Sequence, residues 1–194
     1  DQKTGDIRWT AQLSGAILSA ALIQTGRVIV VANDGTVVGL DEKTGQQVWT
    51  YRMPNEQLSL RGQASPVRLD PRTVLVASSN AYVYAIDSLT GTLRMQRRVA
   101  VSDGRSDIQR LVDVDADPIV AGQLVVTTSY QGQVTVLDLV SQRVIWSEDA
   151  SSINRAEVAG RQVFVTQTDG KIVSFDLVTG QPLWTNDQLL NRQL

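Results

Sequence analysis

Short aliphatic runs alternate with polar turn sequences along the whole chain. The runs occupy residues 28–31, 74–77, 124–127 and 163–166. Each is followed by a turn sequence with a small residue, and then by a second apolar segment; the small residues are Gly35, Ala81, Gly132 and Gly170. Asn-Asp-Gly and Thr-Asp-Gly between β-rich runs are strong hairpin signals, because glycine supplies the positive φ that these turns need. The pattern predicts a series of β-hairpins.

A nine-residue segment recurs five times along the chain. It runs from an aspartate to a large apolar residue and occupies residues 1–9, 41–49, 87–95, 138–146 and 176–184. Successive aspartates are 40, 46, 51 and 38 residues apart. This period is typical of a four-stranded propeller blade and differs from that of helical-hairpin or leucine-rich repeats.

The residue types of this segment indicate a tight turn followed by an outer strand. The aspartate can bond nearby backbone groups, and the glycine fits the left-handed position that closes the loop. These residues are Asp41, Asp87, Asp138 and Asp176, with Gly45, Gly91 and Gly180. The bulky residue at the end is expected to pack against the neighbouring blade. It is a tryptophan in three of the full repeats, at Trp49, Trp146 and Trp184.

Two copies of the segment depart from this pattern. Met95 replaces the tryptophan in one copy, and Ser141 and Gln142 replace Thr-Gly in the next. Methionine is an adaptable apolar residue, so the first change is compatible with the same packing. The turn without glycine is expected to have a different local geometry without loss of the blade.

The repeats predict an all-β fold, a β-propeller of four-stranded antiparallel blades. Blades are expected at about residues 10–49, 50–95, 96–146 and 147–184, with 1–9 ending a preceding blade and 185–194 beginning the next. A propeller closes its ring to remove its edges. About four blades are therefore expected to be part of a larger ring, and a ring of only four is the less favoured alternative.

Composition narrows the candidate chemistry. The chain has 18 basic and 20 acidic residues, no histidine and no cysteine. This excludes a histidine-dependent nucleophile, an imidazole- or thiolate-bound metal and a disulfide scaffold within this sequence. Asp113, Asp115 and Asp117 have the alternate spacing of one face of a strand. Calcium binding there is disfavoured because no turn glycine and distal glutamate follow at the required offsets.

The segment A/G-x-D-x-x-T-G-x-x-x-W resembles the PQQ-like repeat that quinoprotein dehydrogenases share with non-enzymatic relatives. Residues 58–62 (LSLRG) and 108–118 (IQRLVDVDADP) are similar to two loops of the outer-membrane protein assembly factors in that group. The resemblance implies an eight-bladed, lipid-anchored periplasmic scaffold without catalysis or cofactor. It also implies a partner, the POTRA domains of the barrel-forming subunit BamA. The residues that match the partner-binding positions are Leu58, Leu60, Arg61, Asp113 and Asp115.

Propeller connectivity places these five residues on one face. If each blade runs from its inner to its outer strand, the connections between blades share a face with the hairpin turns between the second and third strands. The Asp-to-Gly turns then lie on the opposite face. Leucines and an arginine beside aspartates suit a protein surface better than a small-molecule pocket. The alternative is structural: the leucines pack the loop and Arg61 pairs with Asp115. Unfolded outer-membrane protein precursors are a further candidate partner, through pairing with an outer strand.

Two other functions stay open at this stage. One is a fragment of a PQQ-dependent quinoprotein dehydrogenase, although the chain shows no carboxylate and amide cluster that matches such a site. The other is a sensor that binds a small ligand in the central channel, lined by residues 16–22, 63–69, 114–120 and 153–158. These inner segments supply few converging polar groups, so this alternative is the weakest.

Overall fold

The protein consists of β-strands joined by turns. The structure is a computed structural model and describes residues 3–54, 63–99, 114, 116–130, 132–188 and 190. Within these residues the chain forms four separate four-stranded antiparallel sheets and no helix. The predicted all-β propeller of four-stranded antiparallel blades is confirmed.

Strand order within every sheet follows the chain. The first sheet contains β1 (Leu22–Gln24), β2 (Arg27–Val31), β3 (Thr36–Asp41) and β4 (Gln47–Arg52). The second contains β5 (Val67–Asp70), β6 (Thr73–Ala77), β7 (Tyr82–Asp87) and β8 (Leu93–Arg98). The third contains β9 (Ile119–Ala121), β10 (Leu124–Thr128), β11 (Gln133–Asp138) and β12 (Arg143–Asp149). The fourth contains β13 (Glu157–Ala159), β14 (Gln162–Thr166), β15 (Ile172–Asp176) and β16 (Pro182–Asn186).

The hydrophobic core lies between successive sheets. Strand β6 shows how, because its side chains alternate between two clusters, as the period of a strand requires. Val74 and Val76 pack with residues of the first sheet, while Leu75 and Ala77 pack with residues of the third. A strand buried on both faces needs an unbroken apolar run, which explains the aliphatic runs in the sequence.

Every outer strand carries a β-bulge next to its large apolar residue. The register with the third strand shifts at Gly39/Leu40 in the first sheet, and equivalent shifts occur in the other three. The extra residue directly precedes the tryptophan or Met95. Bulges turn the chain locally and redirect a side chain. The bulged residues Val48, Ile145 and Leu183 accordingly point outwards and are 46%, 41% and 47% exposed.

The innermost strands are shorter than the sequence predicts, and they begin later. Strand β1 begins at Leu22 and β5 at Val67, near the ends of the predicted inner segments. Ahead of β1, Ile17 forms only an isolated bridge with Ala32, and other residues before the innermost strands bond to neighbouring connections. Ala20, for example, donates its backbone N–H to Ser65 Oγ at 3.3 Å.

Candidate functional site

The recurring aspartate organises each turn by accepting hydrogen bonds from the residues after it. Asp41 Oδ1 accepts the backbone N–H groups of Lys43 and Thr44 at 3.0 and 2.9 Å, and the Thr44 hydroxyl at 3.0 Å. The N–H of Gly45 closes the turn on the Asp41 carbonyl at 2.9 Å. The backbone and hydroxyl bonds from Thr44 hold the pKa of Asp41 below its usual value. Asp176 repeats the same bonds with Val178 and Thr179.

Arginines pair with three of these aspartates. Asp87 is buried and binds Arg94 at 2.5 Å and Arg72 at 2.9 Å. Burial alone would raise the pKa of Asp87. The hydrogen bonds from Arg94, from the backbone N–H groups of Leu89 and Thr90, and from Arg72 outweigh burial and hold the pKa well below its usual 3.8.

The other two arginine pairs have nearly the same spacing. Arg27 lies 3.5 Å from Asp41 and Arg161 lies 2.6 Å from Asp176. The arginine precedes its aspartate by 14 residues in the first pair and by 15 in the second, as it does for Arg72. Sequence analysis missed these arginines, although this spacing of 14 or 15 residues was available as a signal.

Trp49 and Trp146 each join their own sheet to the turn of the next sheet. The indole N–H of Trp49 donates to the Ser88 carbonyl at 3.0 Å, and Ser88 directly follows the turn aspartate of the second sheet. Trp9 and Trp146 bond the equivalent carbonyls of Glu42 and Leu177 at 2.9 Å. We call this arrangement, an indole bonded to and packed on the next turn, the tryptophan clamp.

The turn glycine is part of the tryptophan clamp. A Cβ atom on Gly91 would lie 2.6 Å from a ring carbon of Trp49. The corresponding distances are 2.5 Å between Gly45 and Trp9, and 2.7 Å between Gly180 and Trp146. These glycines also have positive φ. Glycine is therefore required for two reasons: the backbone angle of the turn and the close approach of the indole ring.

The contact between the second and third sheets is the exception. Met95 stands in place of the tryptophan. Gln142 stands in place of the glycine and has a φ of +55°. Gln142 keeps the left-handed backbone of the glycine, but β12 begins five residues after its aspartate and the other outer strands begin six residues after theirs, so the turn geometry differs in part. The Gln142 side chain fits because no indole ring covers this turn. Arg97 bonds the Gln142 carbonyl at 3.1 Å and also donates to the Gln142 side-chain oxygen.

The described ends of the connections between sheets lie on the opposite face from these turns. Each connection starts beside the hairpin turn of the sheet that it leaves: Met53 N–H donates to the Gly35 carbonyl at 3.0 Å, and Val99 N–H to the Ala81 carbonyl at 2.9 Å. This is the arrangement that the connectivity argument assumed. We call the side that carries the connections and hairpin turns the connection face.

The five sequence-predicted partner residues lie outside the described residues. Leu58, Leu60 and Arg61 belong to the connection between β4 and β5, and Asp113 and Asp115 to the connection between β8 and β9. The described ends of these two connections touch. Ser65 donates its backbone N–H to Asp117 Oδ1 at 2.5 Å.

Asp117 therefore has a structural partner that sequence analysis did not anticipate. The expected strand through the acidic row is wrong for its described part, because β9 begins only at Ile119. The carboxylate of Asp117 is occupied by Ser65, and Pro118 has no N–H to donate to a ladder. Among the described residues, no group of three or more His, Cys, Asp or Glu side chains is placed to hold a metal ion.

Face-packed four-stranded sheets with an aspartate turn and a clamping outer-strand tryptophan define a propeller of the PQQ-like repeat class. A family model described as "Outer membrane protein assembly factor BamB" matches residues 1–186. The chain belongs to this BamB family.

Individual relatives agree with this assignment. The outer membrane protein assembly factor BamB of Yersinia pestis is 31% identical over 77% of this chain and 38% of its own length. The crystal structure of BamB from Moraxella catarrhalis superposes with a TM-score of 0.91 at 36% identity, over 99% of this chain and 58% of that chain. The present chain thus spans well under two thirds of these relatives.

Enzymes share the fold at greater distance. The quinohemoprotein alcohol dehydrogenase from Comamonas testosteroni has a TM-score of 0.69 at 15% identity, over 91% of this chain and 35% of that chain. At this identity the likeness shows the fold alone.

In the described part of the chain there is no helix that is long and apolar enough to cross a membrane.

Proposed function

We propose that this protein is a non-catalytic scaffold of the outer-membrane β-barrel assembly machinery and that it binds the POTRA domains of BamA. The observation that carries the proposal is the superposition of 99% of the chain on BamB from Moraxella catarrhalis with a TM-score of 0.91. The family match over residues 1–186 supports the same conclusion. That family is described as an outer membrane protein assembly factor, which is the basis for the proposed role.

The connection face supplies the docking surface in this proposal. Leu58 and Leu60 serve as apolar anchors, and Arg61 donates to a carboxylate or carbonyl of the partner. Asp113 and Asp115 accept hydrogen bonds from basic groups of the partner or orient Arg61. The contact between Ser65 and Asp117 supports the proposal, because it joins the two connections that carry these residues. We call the five residues the docking patch.

The proposed cellular site is the periplasmic face of the outer membrane. A lipid anchor, which the family resemblance implies, would need a residue outside this sequence, since the sequence has no cysteine. Unfolded outer-membrane protein precursors are proposed as transient ligands of outer strands, whose free edges can pair with an extended peptide. No cofactor is part of this function.

The docking patch can be tested by measuring the affinity of the full-length protein for purified BamA POTRA domains. Two variants, Leu58→Ala/Leu60→Ala/Arg61→Ala and Asp113→Ala/Asp115→Ala, should each weaken binding about tenfold or more, because the first removes the proposed anchors and the second leaves basic groups of the partner without their acceptors. Val140→Ala/Val178→Ala is the matched control, since both valines are exposed on the opposite face. Unchanged affinity in patch variants with native circular dichroism would refute the docking patch.

A second candidate function is a fragment of a PQQ-dependent quinoprotein dehydrogenase. Its support is the shared fold with quinohemoprotein alcohol dehydrogenase at 15% identity. The BamB relative has more than twice this identity and covers more of the chain. The scaffold is therefore the function that we propose.

A further inference from the structure

The outer strand of the first sheet has an open edge. Strand β4 is the terminal strand of that sheet, and within the described residues no strand pairs with its outer side. Met53 N–H donates to the Gly35 carbonyl of the same sheet at 3.0 Å. Because successive residues of a strand direct their main-chain groups to opposite sides, Thr50 and Arg52 direct theirs to the open edge. Both residues are exposed, so a further strand could reach these groups.

Strand β4 carries little that would keep another strand away. Charged residues and proline are the usual features that protect an outer strand from pairing. Within β4 the one such residue is Arg52, the last of the strand. Strand β16 is the most similar to β4 in this respect, whereas β8 and β12 each have three charged residues. The protecting residues are Arg94, Arg97 and Arg98 in β8, Arg143, Glu148 and Asp149 in β12, and Pro182 in β16.

In β8 an outward carbonyl is also occupied. Val99 N–H donates to the Ala81 carbonyl of its own sheet, so Gln96 is one of the residues whose main-chain groups point away from that sheet. The Gln96 carbonyl accepts a hydrogen bond from Arg97 Nη1 at 2.6 Å. A strand that approached β8 would have to displace this arginine.

Three of the four tyrosines of the chain gather beside the edge of β4. Tyr51 lies on β4, and Tyr82 and Tyr84 lie on β7 of the next sheet. The ring centroids of Tyr51 and Tyr82 lie 6.1 and 6.2 Å from that of Tyr84. Tyr84 is fully buried, whereas Tyr51 and Tyr82 are half-buried. We call these three residues the tyrosine shelf.

Equivalent positions at the other outer strands lack this aromatic surface. Tyrosine combines a large apolar ring with a polar tip, which suits contact with another protein. Strand β16, which is otherwise similar to β4, has Asn186 at the position of Tyr51. The residues that replace Tyr51 and Tyr82 are Arg97 and Gln133 between the second and third sheets, and Glu148 and Lys171 between the third and fourth.

We propose that the open edge of β4 and the tyrosine shelf form a binding site for an extended polypeptide segment whose alternate side chains are apolar. The segment adds a strand to the first sheet: its main chain pairs with Thr50 and Arg52, and every second side chain lies on the side of Tyr51. The inference rests on the proposed function, because it assigns one outer strand to the unfolded outer-membrane protein precursors. Strands of membrane β-barrels have the alternation that this site requires.

The test measures the affinity of the full-length protein for a urea-denatured outer-membrane β-barrel protein after dilution from urea. Thr50→Pro removes an N–H that points to the open edge and keeps the ladder with β3, so it should raise the Kd about fivefold or more. Ser147→Pro is the matched control at the same position of β12, and it should leave the Kd within about twofold. Each substitution also removes one side-chain hydrogen bond, to Val37 or Thr135.

A second variant tests the tyrosine shelf. Tyr51→Glu introduces the residue type that β12 has at this position, and it should also raise the Kd about fivefold or more, because a charge then faces the apolar side chains of the segment. In addition, a photo-crosslinking amino acid at position 50 should capture the denatured protein, and one at position 147 should not. This readout covers the case in which Thr50→Pro does not fold.

The outcomes separate this inference from the proposed scaffold. An unchanged Kd for folded Thr50→Pro would overturn strand pairing at β4, and so would equal weakening by Thr50→Pro and Ser147→Pro or equal capture at positions 50 and 147. An unchanged Kd for Tyr51→Glu would overturn the role of the tyrosine shelf. Both variants should keep the wild-type affinity for POTRA domains, whereas failure of the wild-type protein to bind those domains would refute the scaffold function itself.

Discussion

Gly91 and Gly26 show how one residue type serves two different purposes. Their φ angles are almost the same, +73° and +72°. A Cβ on Gly91 would lie 2.6 Å from the ring of Trp49, whereas a Cβ on Gly26 would have nothing within 4 Å. Gly26 is therefore needed only for its backbone angle, and Gly91 also for the space beneath an indole.

Gly91→Ala should destabilise the protein more than Gly26→Ala. Each substitution places a side chain on a left-handed backbone, at about 1–2 kcal/mol. Only Gly91→Ala also overpacks a core side chain, which adds about 1–3 kcal/mol. The free energies of unfolding from denaturant titration give both values. Equal losses in the two variants would show that the ring of Trp49 moves aside without cost.

Asp87 makes the stability of the second sheet depend on pH. Its pKa is held below the usual 3.8 in the folded protein, so folding favours the carboxylate. This stabilisation is complete above about pH 5 and is lost as the pH falls through the unfolded value towards the lower folded one. The aspartate is buried, but Arg94 and Arg72 are 41% and 58% exposed, so solvent weakens both pairs.

Asp87→Asn should lower the free energy of unfolding at pH 7 by about 1–2 kcal/mol, because two charged hydrogen bonds lose their acceptor charge. Between about pH 5 and pH 2 this loss should shrink, because the unfolded wild-type chain then takes up a proton at Asp87 and its carboxylate stabilises the fold less. Asp138→Asn is the control, since Asp138 accepts two backbone N–H groups at 2.7 and 3.2 Å without an arginine. Identical pH profiles for the two variants would contradict the role of the arginines.

At the scale of elements, the contacts between sheets follow one rule with one paired exception. Where the outer strand has a tryptophan, the next turn has a glycine beneath it, as in Trp49 with Gly91. Where the outer strand has Met95, the next turn has Gln142, bonded by Arg97. Both members of the pair change together, which is what direct packing between the two positions requires.

Met95→Trp and Gln142→Gly should therefore be coupled. The tryptophan alone would overpack against the Gln142 side chain, at about 1–3 kcal/mol. The glycine alone would lose the side-chain bond to Arg97. Together they should rebuild the tryptophan clamp, with a favourable interaction energy of at least about 1 kcal/mol in a double-mutant cycle by chemical denaturation. Strictly additive effects would contradict the paired exception.

Outer strands also show where sequence patterns stop being informative. The alternation that predicts strands does not predict the bulge before each tryptophan, because the bulge depends on pairing with another strand. Val48, Ile145 and Leu183 therefore point outwards although they are apolar. The turn aspartates and glycines were predictable, since their bonds span only two to four residues.

On the scale of the whole molecule, the two faces carry different contacts between neighbouring sheets. Tryptophan clamps join neighbouring sheets near the Asp-to-Gly turns, and bonds such as that between Ser65 and Asp117 join the connections on the other side. The fold was predictable because the repeat encodes every blade. The bond of Asp117 was not, because it links residues 52 positions apart whose contact depends on the packing of two blades.

The docking patch remains a prediction that comes from resemblance. Leu58, Leu60, Arg61, Asp113 and Asp115 lie outside the described residues, so the structure locates only the ends of their connections. Local sequence physics favours a protein surface over a small-molecule pocket for this mixture of leucine, arginine and aspartate. It could not specify the partner, because many protein surfaces complement such a mixture.

The most direct test of the scaffold function is a calorimetric titration of the full-length protein with BamA POTRA domains and, separately, with pyrroloquinoline quinone plus calcium. A docking scaffold predicts saturable binding of the POTRA domains and no saturable binding of the quinone. Saturable binding of the quinone without binding of the POTRA domains would contradict the scaffold function and favour a quinoprotein dehydrogenase.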